Sequence, residues 1–285
     1  MCVEDMEVPN NIIEFFTNVT GLTPSNSQIE FLNTMANLDE KRIITSAARQ
    51  TGKSLCCAVF VIWFSFKYPN SRILLISAQH SVIYRHILNC FNRCKELQSE
   101  VIVEGVYTAI PLRGFELKNG STVTLANATD KSIKGHGSDI LIMDECCEIP
   151  KDIYDTALGT LSGSVSKRIL ISTANGKYAN WFIELIENKK SKFKHFTWSE
   201  LDCIWHNKDV LSDKKNTLSP NRYKIEVLGL VPSKQERALF NSKNIDACLS
   251  TEVLSEGMSR ECGVDFGESR GLTVAMVIER CRSRI

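Results

Sequence analysis

The sequence predicts an α/β fold with a mostly parallel sheet covered by helices on both faces. Three observations predict it. Short apolar-rich runs at Arg42–Thr45, Arg72–Ser77, Ile140–Met143 and Arg168–Ser172 read as strands buried on both faces, as parallel sheets require. Between them lie segments with apolar residues at helical spacing, so strands and helices alternate over short connections. The stretch Ala47-Ala48-Arg49-Gln50-Thr51-Gly52-Lys53-Ser54 joins the first strand to a helical run, which is the setting of a phosphate-binding loop.

The elements follow in order. Ser25-Asn26-Ser27-Gln28 marks a capped helix start leading into Ile29, Phe31, Leu32 and Met35. After the strand Arg42–Thr45 and the loop, a long helix runs from Lys53 to Tyr68 and stops at Pro69-Asn70. Arg72–Ser77 is a second strand, and Ser81 to Leu97 carries apolar residues at helical spacing. Phe115 to Leu125 alternates around Asn119-Gly120, a strong hairpin signal. The strand Ile140–Met143 ends in Asp144-Glu145, and Arg168–Ser172 is followed by a helix from Trp181 to Asn188. Asp209 to Thr217, rich in Lys, Asp and Ser, reads as a mobile loop.

Two motifs carry chemistry. Backbone N–H groups of residues 48–52 and the positive end of the following helix would face phosphate oxygens. Lys53 can reach those phosphates, and the Ser54 hydroxyl can bind Mg²⁺. The usual pattern opens with Gly, where this chain has Ala47. Ligands of open α/β sheets gather at the carboxyl ends of strands, so Asp144 and Glu145 should emerge beside the loop. Asp144 is then placed to hold Mg²⁺ with Ser54, and Glu145 to activate the attacking water.

Composition limits the alternatives. The 285 residues are 43% hydrophobic and 24% charged, ordinary for a globular protein, and long enough for one large domain or two smaller ones. A formal net charge of +1 means that any nucleic-acid affinity must come from local patches. The 11 cysteines show no Cys-x-x-Cys spacing, which argues against a disulfide scaffold or zinc ribbon and for a reducing compartment. The acidic start lacks the pattern of a signal peptide, and the longest apolar stretch, Leu55 to Phe66, is too short to span a bilayer.

The order of motifs resembles the ATPase domain of the large terminase subunit, the DNA-packaging motor of tailed phages and their relatives. That family's phosphate loop lacks the first Gly and carries an Arg four residues before the Lys, as Arg49 stands to Lys53 here. Its second motif is a buried strand ending in Asp-Glu and two small residues; Cys146-Cys147 occupy the small positions. Ser132-Ile133-Lys134-Gly135 resembles a basic-Gly step before that strand, and Leu170 to Gly176 resembles the coupling motif that ends in Asn-Gly. Gln28 matches a Gln that reads adenine, and Tyr223 to Gly229 is similar to the segment joining ATPase to nuclease. Glu261 to Gly267 with Leu272 to Ile278 resembles the first hairpin of an RNase H-like nuclease.

The resemblance implies a P-loop NTPase fold of the RecA-like (ASCE) type. Residues 1–180 would form the ATPase core, 181–258 a lid and linker, and 259–285 the incomplete start of a nuclease domain. It implies an ATP-hydrolysing motor that uses Mg²⁺ and moves double-stranded DNA into a procapsid. Its partners would be a portal protein, a small terminase subunit and further copies in a ring. Its place would be the host cytoplasm and, transiently, the procapsid portal, with no membrane. The implied ATP site comprises Gln28, Ala48, Arg49, Gln50, Thr51, Gly52, Lys53 and Ser54, with Glu145, Arg49 and Lys53 catalytic and Thr173 and Asn175 coupling. Asp265 would be one of several carboxylates of a two-metal nuclease site, and one carboxylate cannot hold such a site.

Other readings stay open on the sequence. Arg49 is either a cation for the transferring phosphoryl group or a brace of the loop, and Arg168 or Arg113 could serve a neighbouring subunit instead. Gln28 reads equally as an ordinary surface helix residue, Asn175-Gly176 as a plain turn, and Asp265 as a strand-end Asp. His86, Cys90 and Cys94 share a helix face but read as a buried stripe more than a metal site. Lys189 to His195 is a basic run suited to a solvated loop or to DNA, and Trp198 and Trp205 read as packing residues. A helicase-type translocase and a non-catalytic assembly module are the competing function classes.

Overall fold

A computed structural model describes residues 9–78, 80–101, 114–129, 133–163, 165–176 and 180–233, and the backbone of 259–265 and 274–280. The chain divides into two compact units, Met1–Arg237 and Ala238–Ile285.

The first unit is built on strands β1 (Arg42–Ala47), β2 (Arg72–Ser77), β3 (Gly114–Glu116), β4 (Thr122–Asn127), β5 (Ile140–Asp144), β6 (Lys167–Ser172) and β7 (Lys194–Trp198). They form one sheet in the order β3-β4-β2-β5-β6-β1-β7, parallel except for the β3–β4 hairpin. The helices are α1 (Ile12–Thr20), α2 (Asn26–Ala36), α3 (Lys53–Lys67), α4 (His80–Arg93), α5 (Lys95–Ser99), α6 (Lys151–Leu158), α7 (Trp181–Glu187), α8 (Lys208–Thr217) and α9 (Pro220–Glu226).

Two apolar clusters explain why the central strands are apolar throughout. Ile43, Ile73, Leu75, Ile140, Ile142, Ile169 and Ile171 pack with residues of α1 to α4. Their alternates, Ile44, Leu74, Ile76, Leu141, Met143 and Leu170, pack with Tyr154, Trp181 and Phe182. Successive side chains of a strand point to opposite faces, so a sheet covered on both sides needs apolar residues at every position. The Ser25 capping box that starts α2 is complete, and the Asn-Gly hairpin pairs Phe115 with Val123.

Several expectations are corrected. Asp209 to Thr217 is a helix and not a loop: Asn207 caps it, and Lys214 bonds the buried Glu200. The helix expected from Ser81 to Leu97 breaks at Cys94 into α4 and α5. The basic run ends in a strand, because Lys194-His195-Phe196-Thr197-Trp198 turns Phe196 and Trp198 into the core against Phe31. That strand lies within the stretch expected as lid and linker, and it pairs with β1.

In the second unit β8 (Ser259–Asp265) and β9 (Val274–Arg280) form an antiparallel pair, Asp265 opposite Val274.

Candidate nucleotide-binding site

The site grows from the carboxyl ends of three adjacent strands. β6 lies between β1 and β5, so its end stands between the phosphate loop that leaves β1 and the acidic pair that ends β5. The loop turns through Gln50 at φ 59° and Gly52 at φ 83°, and Gly52 opens α3 without a side-chain cap. The first-turn amides of α3 therefore meet no capping oxygen of Gly52, as an anion site requires. Ala47 explains the missing first Gly. It is still extended in β1, opposite Trp198, and buried, so no left-handed backbone is needed there.

The chemistry-bearing side chains converge. Lys53 Nζ lies 3.2 Å from Glu145 Oε1 and donates to Thr173 Oγ1 at 3.1 Å. The Ser54 hydroxyl donates to Asp144 Oδ2 at 3.0 Å. Asp144 is wholly enclosed, and burial, followed by the neighbouring Glu145 charge, pushes its carboxyl up to about 6 against the opposing pull of Lys53 and Ser54. Glu145 has a left-handed backbone (φ 57°, ψ 45°), a conformation that costs a non-Gly residue of order 1–3 kcal/mol and is typical of functional sites. Ser54 Oγ and Asp144 Oδ2 are hard oxygen donors side by side, a pair that fits Mg²⁺.

The end of β6 is stitched to the turn after Glu145. The Cys147 amide donates to Ser172 Oγ, and Asn175 Nδ2 donates to Cys147 O at 3.0 Å and to Glu148 Oε1 at 3.2 Å. Cys146 and Cys147 are buried in this turn, where bulk would be resisted.

Arg49 does not stand alone. Its Nε pairs with Glu226 Oε2 at 2.7 Å. Gln28 is buried, not a surface residue: its Oε1 accepts from the Ser25 amide, and its Nε2 donates to Thr51 O at 3.4 Å. A cavity of about 1380 Å³ opens over the loop, lined among others by Gln28, Lys53, Ser54, Glu145, Thr173 and Trp205.

Other candidates lie elsewhere. Arg168 is near the start of β6, its guanidinium over the Phe193 ring and near Tyr154 Oη, at the opposite end of the sheet from the loop. Arg113 and Ser132 fall outside the described residues. Asp265 ends β8 in the second unit. Among the described residues no cluster of His, Cys, Asp and Glu could hold a metal ion by itself; Cys90 is buried and Cys94 lies past the end of α4. Trp198 is core, whereas Trp205 is exposed on the cavity wall. Sequence reasoning missed Glu226, Glu200 and His206, which reach the loop only through the fold.

Sheet order, loop and acidic strand end together define a P-loop NTPase fold. The chain belongs to the terminase large subunit family: the model of the T4likevirus-type terminase large subunit, N-terminal, matches residues 44–242. Tripartite terminase subunit 3 of human herpesvirus 6A is 23% identical over 219 residues, 76% of this chain and 31% of that protein. The ATPase domain of the Thermus phage P74-26 large terminase, solved as a point variant, superposes at TM-score 0.62 with 18% identity, covering 76% of this chain and 98% of that one. The large terminase of a thermophilic bacteriophage, in complex with ADP, superposes at 0.58 with 15% identity, covering 90% and 65%. At these identities the likeness to solved structures is one of fold. The chain spans between 17% and 37% of the length of curated relatives it matches.

Proposed function

We propose that this chain is the ATP-hydrolysing part of a motor that translocates double-stranded viral DNA into a procapsid. The observation that carries the proposal is the meeting of Lys53, Ser54, Asp144, Glu145 and Thr173 at the ends of β1, β5 and β6. Phosphoryl transfer needs positioning and fixed charge more than covalent help, and these residues supply both. Amides of residues 50–52 and Lys53 would bind the phosphates; those of Ala48 and Arg49 are taken by Trp198 O and Glu226 O. Ser54 and Asp144 would hold Mg²⁺, whose charge neutralises the phosphate oxygens. Glu145 would orient and deprotonate the attacking water. The pairing of Arg49 with Glu226 supports the brace over the free cation. Thr173 bonds Lys53 while Asn175 bonds the turn after Glu145, which supports a coupling role for both: loss of the γ-phosphate would be felt along β6.

The solved ADP complex of a large terminase supports the adenine nucleotide as ligand. Family membership supports duplex DNA, a portal protein, a small terminase subunit and further copies in a ring as partners. The work would then be done in the infected cell's cytoplasm and at the procapsid portal. Among the described residues no helix is long and apolar enough to cross a membrane. Asp265 remains a proposed metal ligand of a nuclease domain.

ATP turnover with Mg²⁺, with and without duplex DNA, tests the reading. Wild type should hydrolyse ATP faster with duplex than with single strands, which a helicase would prefer. Glu145→Gln should bind ATP but lose about 10²–10⁴ in rate, and Lys53→Ala should fail to bind. A wild-type chain that neither binds nor hydrolyses ATP would leave the assembly-module reading in its place.

A further inference from the structure

The cavity over the phosphate loop is lined by large apolar side chains that the core leaves out. Leu22 is 53% exposed, Ile204 74% and Trp205 47%. The other tryptophans, Trp63, Trp181 and Trp198, are 2%, 8% and 2% exposed, so the fold buries indoles wherever it can. An open indole on the wall of a concave site leaves apolar area in water unless a ligand covers it.

Trp205 is also held in place. Its Nε1 donates to Gln50 O at 3.3 Å, and His206 Nε2 faces the same carbonyl at 3.3 Å. His206 Nδ1 lies 3.0 Å from Oε1 of Glu200, a wholly buried carboxylate that also accepts from Lys214 at 2.5 Å. A buried charge with two partners resists displacement, so this pair anchors the indole's neighbour to the phosphate loop. The indole edge comes within 4.0 Å, and the Gln28 amide nitrogen within 2.3 Å, of the point where a Cβ on Gly52 would stand. Ring and amide therefore meet at the glycine that opens α3, within reach of the base of a nucleotide whose phosphates sit on the loop.

We propose that Trp205 is the stacking wall for that base. The proposal rests on the nucleotide-binding reading above and adds to it a binding residue carried on the segment after β7. The flat face of the indole takes the flat face of the base. Every base has a π face, so the indole contributes affinity for purine nucleotides generally. Selectivity is left to Gln28, whose amide keeps one N–H and one lone pair beyond its bonds to Thr51 and Ser25.

Titration of the full chain with ATP, ADP and GTP, read by tryptophan fluorescence and by calorimetry, tests this. All three should change the emission of wild type, and Trp205→Phe should abolish the change while binding within about twofold of wild type. Trp205→Ala should weaken ATP, ADP and GTP alike, by about tenfold or more. Wild-type affinity in Trp205→Ala would overturn the stacking role. So would equal losses in Trp205→Phe and Trp205→Ala, which would assign the effect to the bond with Gln50. Those outcomes leave the nucleotide site standing; a wild-type chain no better than Lys53→Ala at binding ATP removes both readings.

Discussion

Asp144 is a carboxyl in conflict: it must be ionised to hold a cation, yet burial and the adjacent Glu145 favour its proton. Its folded-state value, about 6, lies above the ordinary 3.8, so the folded protein binds this proton more tightly than the unfolded chain does. Stability must then fall as pH rises from about 4 through about 6 when no divalent metal is present. The gap corresponds to roughly 3 kcal/mol. Asp144→Asn, measured by denaturant unfolding with a chelator, should be more stable than wild type at pH 7 by up to that amount, with the advantage gone near pH 4. A pH-independent difference between the two proteins would contradict the assignment. Arg49 offers a second test at this scale. If it braces the loop through Glu226, then Arg49→Ala and Glu226→Ala should weaken ATP binding to similar extents, and the double variant should be no worse than either. If it is instead the cation for the transferring group, Arg49→Ala alone should lose about 10³ to 10⁵ in turnover.

The element that most constrains the loop is the segment after β7. Ala48 N donates to Trp198 O at 2.9 Å, and Ser46 Oγ donates to Gly229 O at 2.6 Å. Gly229, at φ 66°, lies so close that an added Cβ would stand 2.1 Å from Trp198 O and 2.8 Å from Ala48 N. Those are backbone atoms and cannot swing away. Gly229→Ala should therefore cost roughly 2–4 kcal/mol in unfolding free energy and weaken ATP binding as well, since the displaced strand end leads into the loop. Helix α2 carries a comparable constraint at its far end. Lys167, fully buried in β6, donates to Met35 O and Asn37 O, each at 2.6 Å. Lys167→Met keeps the bulk but takes the lysine donor from Met35 O and leaves Asn37 O with the Glu40 amide at 3.3 Å, and thermal unfolding should register a loss of roughly 1–3 kcal/mol. Helix α8 shows why polar segments mislead: none of its residues is buried, so it has no apolar stripe to read.

At the scale of the whole molecule, the sheet, both apolar layers and the phosphate-loop site lie within Met1–Arg237. A chain ending at Arg237 should fold cooperatively and bind ATP within about twofold of the full sequence, because every described side chain of the site lies before that point. Failure of the shortened chain to fold would show that residues 238–285 complete its core.

The strand–loop–helix unit from Arg42 to Lys67 and the acidic end of β5 were legible in the sequence because their signals are local. A buried strand is an apolar run, a capped helix is Ser followed three residues later by Gln, and a phosphate loop is one contiguous string. The hairpin at Asn119-Gly120 was legible for the same reason. The fold decided the rest. Arg49 meets Glu226, Glu200 meets His206 over Gln50, Asn175 meets Cys147, and β7 joins β1, all between residues whose types are common and whose separation carries no periodicity. Arg49 reads as brace or cation with equal ease until a carboxylate is seen 2.7 Å away. Local chemistry thus determined that this chain carries a phosphate-loop sequence at the end of its first strand. Long-range packing alone decided which cation is already paired, which glutamate is buried and which tryptophan is left facing the cavity.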